Sequence, residues 1–247
     1  MSRTYLLKME NNLIRIQKYF TDCGILSRRA AEAAIEAGEV SVNGERATIG
    51  QKIDTKSDII KYRGRIIRPT YKEYSYFMLN KPRGFITSLS DEKGRKCVTE
   101  LLHGVKERVY PVGRLDYNTE GLIFLTNDGD LAYSLTHPKY EKEKVYEVLV
   151  KGIVLHGAID KLVRGVYIDG KKTAPAQAEV VEHRRNTSLV RICIHEGRNR
   201  QIRKMCDAVG HSVIALRRVA VDGIEIGNLE VGRWRHLTRT EVERLRR

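Results

Sequence analysis

Cysteine is scarce in this 247-residue chain: Cys23, Cys97, Cys193 and Cys206 are the four present, and no two form a C-x-x-C pair. Their gaps fit no zinc pattern, and so few thiols over this length exclude a disulfide scaffold and point to a reduced, cytosolic setting. Cys193 and Cys206 fall in apolar periodic segments and are expected as core fillers. The seven histidines are scattered, with no H-x-x-x-H among them, so no metal site is expected. Neither a Walker A loop nor a G-x-G-x-x-G occurs, and no nucleotide cofactor is expected. Long apolar runs are missing too. Leu6-Leu7 is too short for a signal peptide core, and no apolar run of about 18 residues follows, which excludes a membrane span. The expectation is a soluble, cytoplasmic protein with no membrane partner. Internal repeats and low-complexity tracts are absent as well.

What the chain has is positive charge. It holds 45 Lys+Arg against 31 Asp+Glu, a formal net charge of +14. The surplus is spread out: residues 1–72 carry 14 against 8, and the remainder 31 against 23. A basic balance on this scale says nothing about fold but favours a polyanionic partner, RNA or DNA before an acidic membrane. A solvated basic surface that serves solubility is the plainer alternative. With 41% hydrophobic residues, a packed core is within reach.

Residues 1–12 read as a flexible lead-in. Ile14, Tyr19 and Phe20 suggest a short helix that ends at Gly24, a glycine suited to the position after a helix. Ser27 offers an N-cap to a second helix over residues 28–37, with Ala30, Ala31, Ala34 and Ile35 as its buried stripe. Val40-Ser41-Val42 reads as a strand, and Asn43-Gly44 is a strong hairpin signal. A further strand pair follows at residues 58–62 and 65–67, joined through Arg63-Gly64. The segment Arg68-Pro69-Thr70 reads as a domain boundary. From residue 75 the pattern becomes one of longer strands alternating with single helices. Strands are expected at residues 76–79, 121–126, 144–151 and 188–195. Tyr146, Val148 and Val150 share one face of the third, and Val190, Ile192 and Ile194 share one face of the fourth. Lys81-Pro82-Arg83-Gly84 stops the first strand, residues 89–96 read as a mobile loop, and Asn127-Asp128-Gly129 reads as a turn. Residues 199–209 place Ile202, Met205, Cys206 and Val209 at helical spacing, and Gly210 ends that helix. Thr238-Arg239-Thr240-Glu241 is a capping box for a last short helix.

Two constellations carry chemistry. In the first, Arg15, Lys18, Arg28 and Arg29 cluster around the two short helices, with Asn43 in the turn beyond. A helix start at Ser27 with arginines in its first turn holds phosphate through backbone N–H groups and guanidinium forks. In the second, Gly113-Arg114-Leu115-Asp116 leads to Thr119-Glu120-Gly121-Leu122. Two glycines there bracket one carboxylate in a loop between strands, a rigid mount for a single acid. Taken alone, an Asp in a loop caps a turn more often than it catalyses.

The first constellation, with Gly38-Glu39-Val40-Ser41-Val42-Asn43-Gly44, resembles the S4 RNA-binding domain over residues 13–70. The second resembles the active-site motif of the pseudouridine synthases, and in particular the bacterial branch that modifies ribosomal RNA and carries an N-terminal S4 domain. Leu79-Asn80-Lys81-Pro82-Arg83-Gly84, Lys144-Val145-Tyr146 and Glu196-Gly197-Arg198-Asn199-Arg200-Gln201-Ile202-Arg203-Lys204-Met205 lie where that branch has its other motifs. The resemblance implies an α+β protein: a small S4 (αL-type) domain, then over residues 73–247 a catalytic domain on a largely antiparallel mixed sheet flanked by helices. It implies a cofactor-free isomerisation in which the N1–C1′ bond of a flipped-out uridine breaks and C5 joins C1′. Asp116 matches the essential aspartate, acting as nucleophile at C1′ or as base toward the sugar. Arg203 matches the arginine that keeps it ionised, Tyr146 the tyrosine that stacks on the base, and Arg114 a residue that opens the RNA. Arg83, Lys93, Arg95, Arg198 and Arg200 are candidates for phosphate contacts. Thr173-Ala174-Pro175-Ala176 and the 196–205 motif look closer to members acting on the large subunit, which favours 23S over 16S RNA as partner. A monomer is expected. The rival from another class is a non-catalytic S4-type ribosomal RNA-binding or assembly protein, which would show a degraded 113–121 segment. An RNA methyltransferase would need a glycine-rich cofactor loop.

Overall fold

In a computed structural model the described residues are 13–68 and 73–247. The lead-in expected at residues 1–12 and the boundary residues 69 and 70 lie outside them. The chain divides into two compact units, Met1–Glu73 and Tyr74–Arg247.

The first unit runs β1 (Leu13–Arg15), α1 (Ile16–Asp22), α2 (Arg28–Glu36), β2 (Val40–Val42), β3 (Glu45–Arg46), β4 (Lys52–Asp54), β5 (Ile60–Tyr62) and β6 (Arg65–Ile66). The first helix starts later than Ile14, because residues 13–15 pair as a strand with β4, an element the residue pattern did not suggest. Ser27 caps α2 as expected, accepting a hydrogen bond from the Ala30 N–H. Ala31, Ala34 and Ile35 are buried, but Ala30 is exposed. It sits in the first turn, before the stripe rotates under the sheet. Asn43 and Gly44 both take positive φ, 52° and 95°, which the tight β2–β3 turn needs. Ile16, Tyr19, Phe20, Ile35, Val40, Ile53 and Ile60 form the core of this unit.

The second unit runs β7 (Tyr76–Lys81), β8 (Tyr110–Val112), β9 (Glu120–Thr126), α3 (Gly129–Thr136), β10 (Lys144–Lys151), α4 (His156–Arg164), β11 (Tyr167–Ile168), β12 (Lys171–Lys172), β13 (Gln177–Arg184), β14 (Thr187–Ile194), α5 (Gln201–Ala208), β15 (Val213–Val221), β16 (Ile224–Glu225), β17 (Trp234–His236) and α6 (Arg239–Leu245). Seven strands lie in the order β13-β14-β10-β15-β9-β7-β17, with β16 on β15 and β8 on β9. Every pairing is antiparallel except β15 with β9. This is the α+β fold with a largely antiparallel mixed sheet that the resemblance implies.

The sheet is covered on both faces. Phe77, Leu79, Ile123, Leu125, Tyr146, Val148 and Ile192 pack with Ile202 and Met205 of α5 on one side. Met78, Leu122, Phe124, Leu131 of α3 and Leu245 of α6 pack on the other. Central strands buried on both faces read as continuous apolar runs, which is why residues 76–79 and 122–125 show no alternation. Asp128 accepts from the Asp130 and Leu131 N–H groups, so the expected turn at residues 127–129 is in fact the capped start of α3. The capping box at Thr238 and Glu241 forms as expected. Cys206 is buried, whereas Cys193 points to the other face of β14 from Ile192 and Ile194 and is only half-buried. Its expected role as a core filler fails on the period of two. Among the described residues no helix is long and apolar enough to cross a membrane.

Candidate active site

The loop between β8 and β9, residues 113–119, carries Asp116 and opens on a cleft of about 440 Å³. A loop without regular pairing must find partners for its backbone carbonyls elsewhere. Here five consecutive carbonyls do so. Thr87 Oγ1 donates to Leu115 O at 2.8 Å and accepts from the Leu115 N–H at 3.1 Å. Lys81 Nζ donates to Asp116 O at 3.1 Å and to Thr119 O at 2.9 Å. The Gly84 N–H donates to Tyr117 O at 2.9 Å. Arg203 Nη2 donates to Asn118 O at 2.9 Å. The Asp116 side chain therefore stands on a backbone held from three directions, and no carboxylate oxygen is spent in holding it.

Lys81 is fully buried at the end of β7, and its third hydrogen bond goes to Pro82 O at 3.0 Å. An ammonium has three N–H donors, and all three are used. Burial pulls its pKa down to about 8, against the pull of Asp116 and Glu120 in the other direction. In the sequence Lys81 stands out only as part of the Leu79–Gly84 motif. A lysine ending an apolar strand run was the available signal, since a buried ammonium needs acceptors.

Gly121 opens β9 with φ of 110°, and a Cβ there would lie 2.1 Å from the Arg218 carbonyl oxygen. The parallel contact of β9 with β15, which pairs Gly121 with Arg218, requires that missing side chain. Gly113, at the other end of the loop, takes φ of 74°.

Tyr146 on β10 is buried and lines the cleft with Asp116, Arg114 and Arg200. Arg203, on α5, is half-buried beside the loop. Burial lowers its pKa, the nearby Arg200 adds to this, and Asp116 opposes it. Its Nε is buried with no hydrogen-bond partner among the described residues, and so is Thr119 Oγ1 on the loop itself. Arg203 thus feels the Asp116 charge while its hydrogen bond goes to the next turn of the loop. Arg114 is exposed and forms no hydrogen bond or ion pair among the described residues.

The arginines expected on phosphate are less uniform. Arg83 pairs with Glu120 at 2.7 Å. Arg95 pairs with Asp91 at 2.7 Å and also donates its N–H to it, tying the 89–96 loop to itself. Lys93 N–H donates to the same carboxylate. Arg198 donates to the Lys171 and Lys172 carbonyls at 3.1 and 2.7 Å, fastening the β11–β12 hairpin beside α5. Arg200 is exposed at the rim, with φ of 53° at the start of α5. In the first unit, Arg15, Arg28 and Arg29 are exposed, while Lys18 pairs with Asp22 at 2.9 Å. Asn43 is engaged internally: its Nδ2 donates to Asp58 at 2.9 Å, and its Oδ1 accepts from the Ile59 N–H at 2.8 Å.

Residues 75–208 match the family model described as RNA pseudouridylate synthase, and residues 14–60 match that of the S4 domain. The chain belongs to the RNA pseudouridylate synthase family. The ribosomal large subunit pseudouridine synthase B of Bacillus subtilis is 46% identical over 235 residues, 94% of this chain and 95% of its own. The dual-specificity RNA pseudouridine synthase RluF of Escherichia coli is 35% identical over 235 residues, 95% of this chain and 79% of its own. A crystal structure of a pseudouridylate synthase superposes with a TM-score of 0.69 at 30% identity, covering 94% of this chain and 99% of that one.

Proposed function

We propose that the chain isomerises specific uridines of ribosomal RNA to pseudouridine, with 23S RNA the favoured substrate, and that Asp116 is its catalytic residue. One observation carries the assignment: Asp116 stands on a loop whose five carbonyls from Leu115 to Thr119 are all bonded from outside it, at the mouth of a cleft lined by Tyr146. Such bracing spends hydrogen bonds to keep one carboxylate in place, the preorganisation that a reacting group needs.

In the isomerisation the N1–C1′ bond breaks, the uracil turns, and C5 bonds to C1′. The C5 proton leaves and N1 gains one. No redox or group-transfer step is involved, so no cofactor is called for. Asp116 attacks C1′ or takes a proton from the sugar. Arg203 supplies positive charge beside it. Tyr146 stacks on the flipped base, and Arg114, exposed and unengaged, meets the RNA from which it came. Arg15, Lys18, Ser27, Arg28, Arg29, Asn43, Arg83, Arg198 and Arg200 are proposed for the RNA side, Asn43 and Arg198 through the turns they hold in shape. We take residues 13–70 as the S4 domain, residues 73–247 as the catalytic domain, and the working form as a cytoplasmic monomer. The name of the B. subtilis relative supports the large subunit.

The test is a pseudouridine map of 23S and 16S RNA from cells lacking the protein, followed by treatment of that RNA with purified protein. Loss and restoration of a site in 23S RNA is expected. A site restored only in 16S RNA would correct the substrate, and no restored site would sink the proposal.

A further inference from the structure

Strand β15 sends Leu216, Arg218 and Ala220 into the protein, and all three are buried. An arginine in that register is out of place unless something occupies its guanidinium. Arg218 is 4% exposed and lines the cleft. Its Nε donates to Leu122 O at 2.8 Å, which fixes the plane of the group. Its two Nη nitrogens have no hydrogen-bond partner and no ion pair among the described residues.

The surroundings add positive charge. Lys144 on β10 also lines the cleft, and its Nζ donates to Lys142 O at 2.7 Å and His195 O at 3.2 Å, which leaves one N–H. Its pKa is lowered by burial and, next, by the nearness of Arg218. Lys142, a third cation of the lining, is paired with Asp222 at 2.6 Å. Buried Arg218 and half-buried Lys144, two cations that repel each other, therefore face the cleft with donors to spare. Asp222 offsets part of the charge at Lys144, whereas Arg218 is buried with no ion pair among the described residues, and an anion between the two would remove that penalty. The neighbour of Arg218 matters as well. Tyr146 is its partner across the β10–β15 ladder, at a bulge, so the two side chains stand side by side on one face.

We propose that the Nη groups of Arg218, with Lys144, hold a phosphodiester that flanks the target uridine, next to the base that Tyr146 stacks on. A guanidinium whose Nε is already tied presents its remaining N–H groups as a fork, which matches two phosphate oxygens. This rests on the reading of the cleft as the uridine site built on Asp116. It goes beyond that reading in naming the group that anchors the nucleotide's backbone once the base has left its stack.

The test uses an RNA oligonucleotide from 23S RNA containing the mapped target uridine, and two versions with a single methylphosphonate, 5′ or 3′ of that uridine. One version is expected to raise KM for the wild-type protein roughly tenfold or more, the loss of one charge-assisted contact. The arm that responds identifies the phosphate. Arg218→Gln is expected to raise KM for the unmodified RNA by a similar factor and to erase the difference between the RNAs, with Arg218→Lys between the two. Circular dichroism checks that the variants fold. If they do not, the wild-type comparison decides alone. Wild-type protein that turns over both neutral RNAs as fast as the unmodified one overturns the proposal, and so does a full methylphosphonate penalty in Arg218→Gln. Activity retained in Asp116→Asn would instead overturn the underlying reading of the cleft, so the two failures are distinguishable.

Discussion

Lys81 Nζ donates a hydrogen bond to the backbone carbonyl of Asp116 at 3.1 Å, from a side chain with no exposed surface. The residue proposed to do the chemistry is thus anchored through its main chain by a buried cation on another strand, and its carboxylate stays available. Three consequences of this arrangement are open to measurement, and a fourth concerns the strand behind it.

Asp116→Asn should leave the fold intact, because among the described residues no hydrogen bond uses the carboxylate to hold the loop; the bracing runs through carbonyls and Thr87. Pseudouridine formation should disappear while RNA affinity stays within a few-fold of wild type. Filter binding and a tritium-release assay check this, and residual turnover in the purified variant would remove Asp116 from the catalytic role.

Activity should fall as pH rises through about 8, the pKa to which burial pulls Lys81. A neutral amine has two N–H groups for three carbonyls, so one brace on the Asp116 loop is lost. Global stability moves the other way. With a folded pKa of about 8 against 10.5 for an ordinary lysine, the unfolded chain holds the proton more tightly between these values, and stability from this group rises with pH. Single-turnover rates that decline above pH 8 while the melting temperature does not fall with them are expected. A rate unchanged to pH 10 would show that the brace does not depend on this proton.

Lys81→Met should cost about 3 kcal/mol or more, since three carbonyls, one of them buried, lose the ammonium donor at once. Arg203→Met removes the donor to Asn118 O and the charge near Asp116, and should lower kcat about a hundredfold with little change in stability. Urea unfolding separates the two. A Lys81→Met protein as stable as wild type would refute the clamp.

Gly121→Ala should be among the most damaging single-methyl additions. Its Cβ would meet the Arg218 carbonyl at 2.1 Å, backbone that cannot swing aside, at a φ of 110°. A loss of about 3 kcal/mol or more is expected. Guanidinium unfolding of the variant, or its failure to accumulate as soluble protein, is the readout. A near-neutral effect would mean that β9 and β15 part easily.

Much of the fold was legible because it rests on local rules. Ser27 and Thr238-Glu241 satisfy backbone groups within four residues of themselves, and Asn43-Gly44 supply the positive φ of a two-residue turn, so the sequence alone reveals them. The strand β1 was not legible, since Leu13–Arg15 becomes a strand only by pairing with Lys52–Asp54. Cys193 was misjudged for a related reason: an apolar segment does not say which of its two faces is inward until neighbouring strands are in place.

The amino-acid order by itself determined which residues the proposed site is built on: which carboxylate stands between two glycines, which motifs accompany it, and that the partner is a polyanion. These depend on residue type and spacing, and they survive without coordinates. Only the tertiary structure decided how the site is held and what else enters it. Lys81, Thr87, Gly84 and Arg203 come from 28 or more residues away to brace one loop, and the alternation of β15 turns Arg218 inward to stand opposite Tyr146 across the ladder. Hydrogen bonds between distant segments and the burial of a charge are properties of packing, and no period along the chain encodes them.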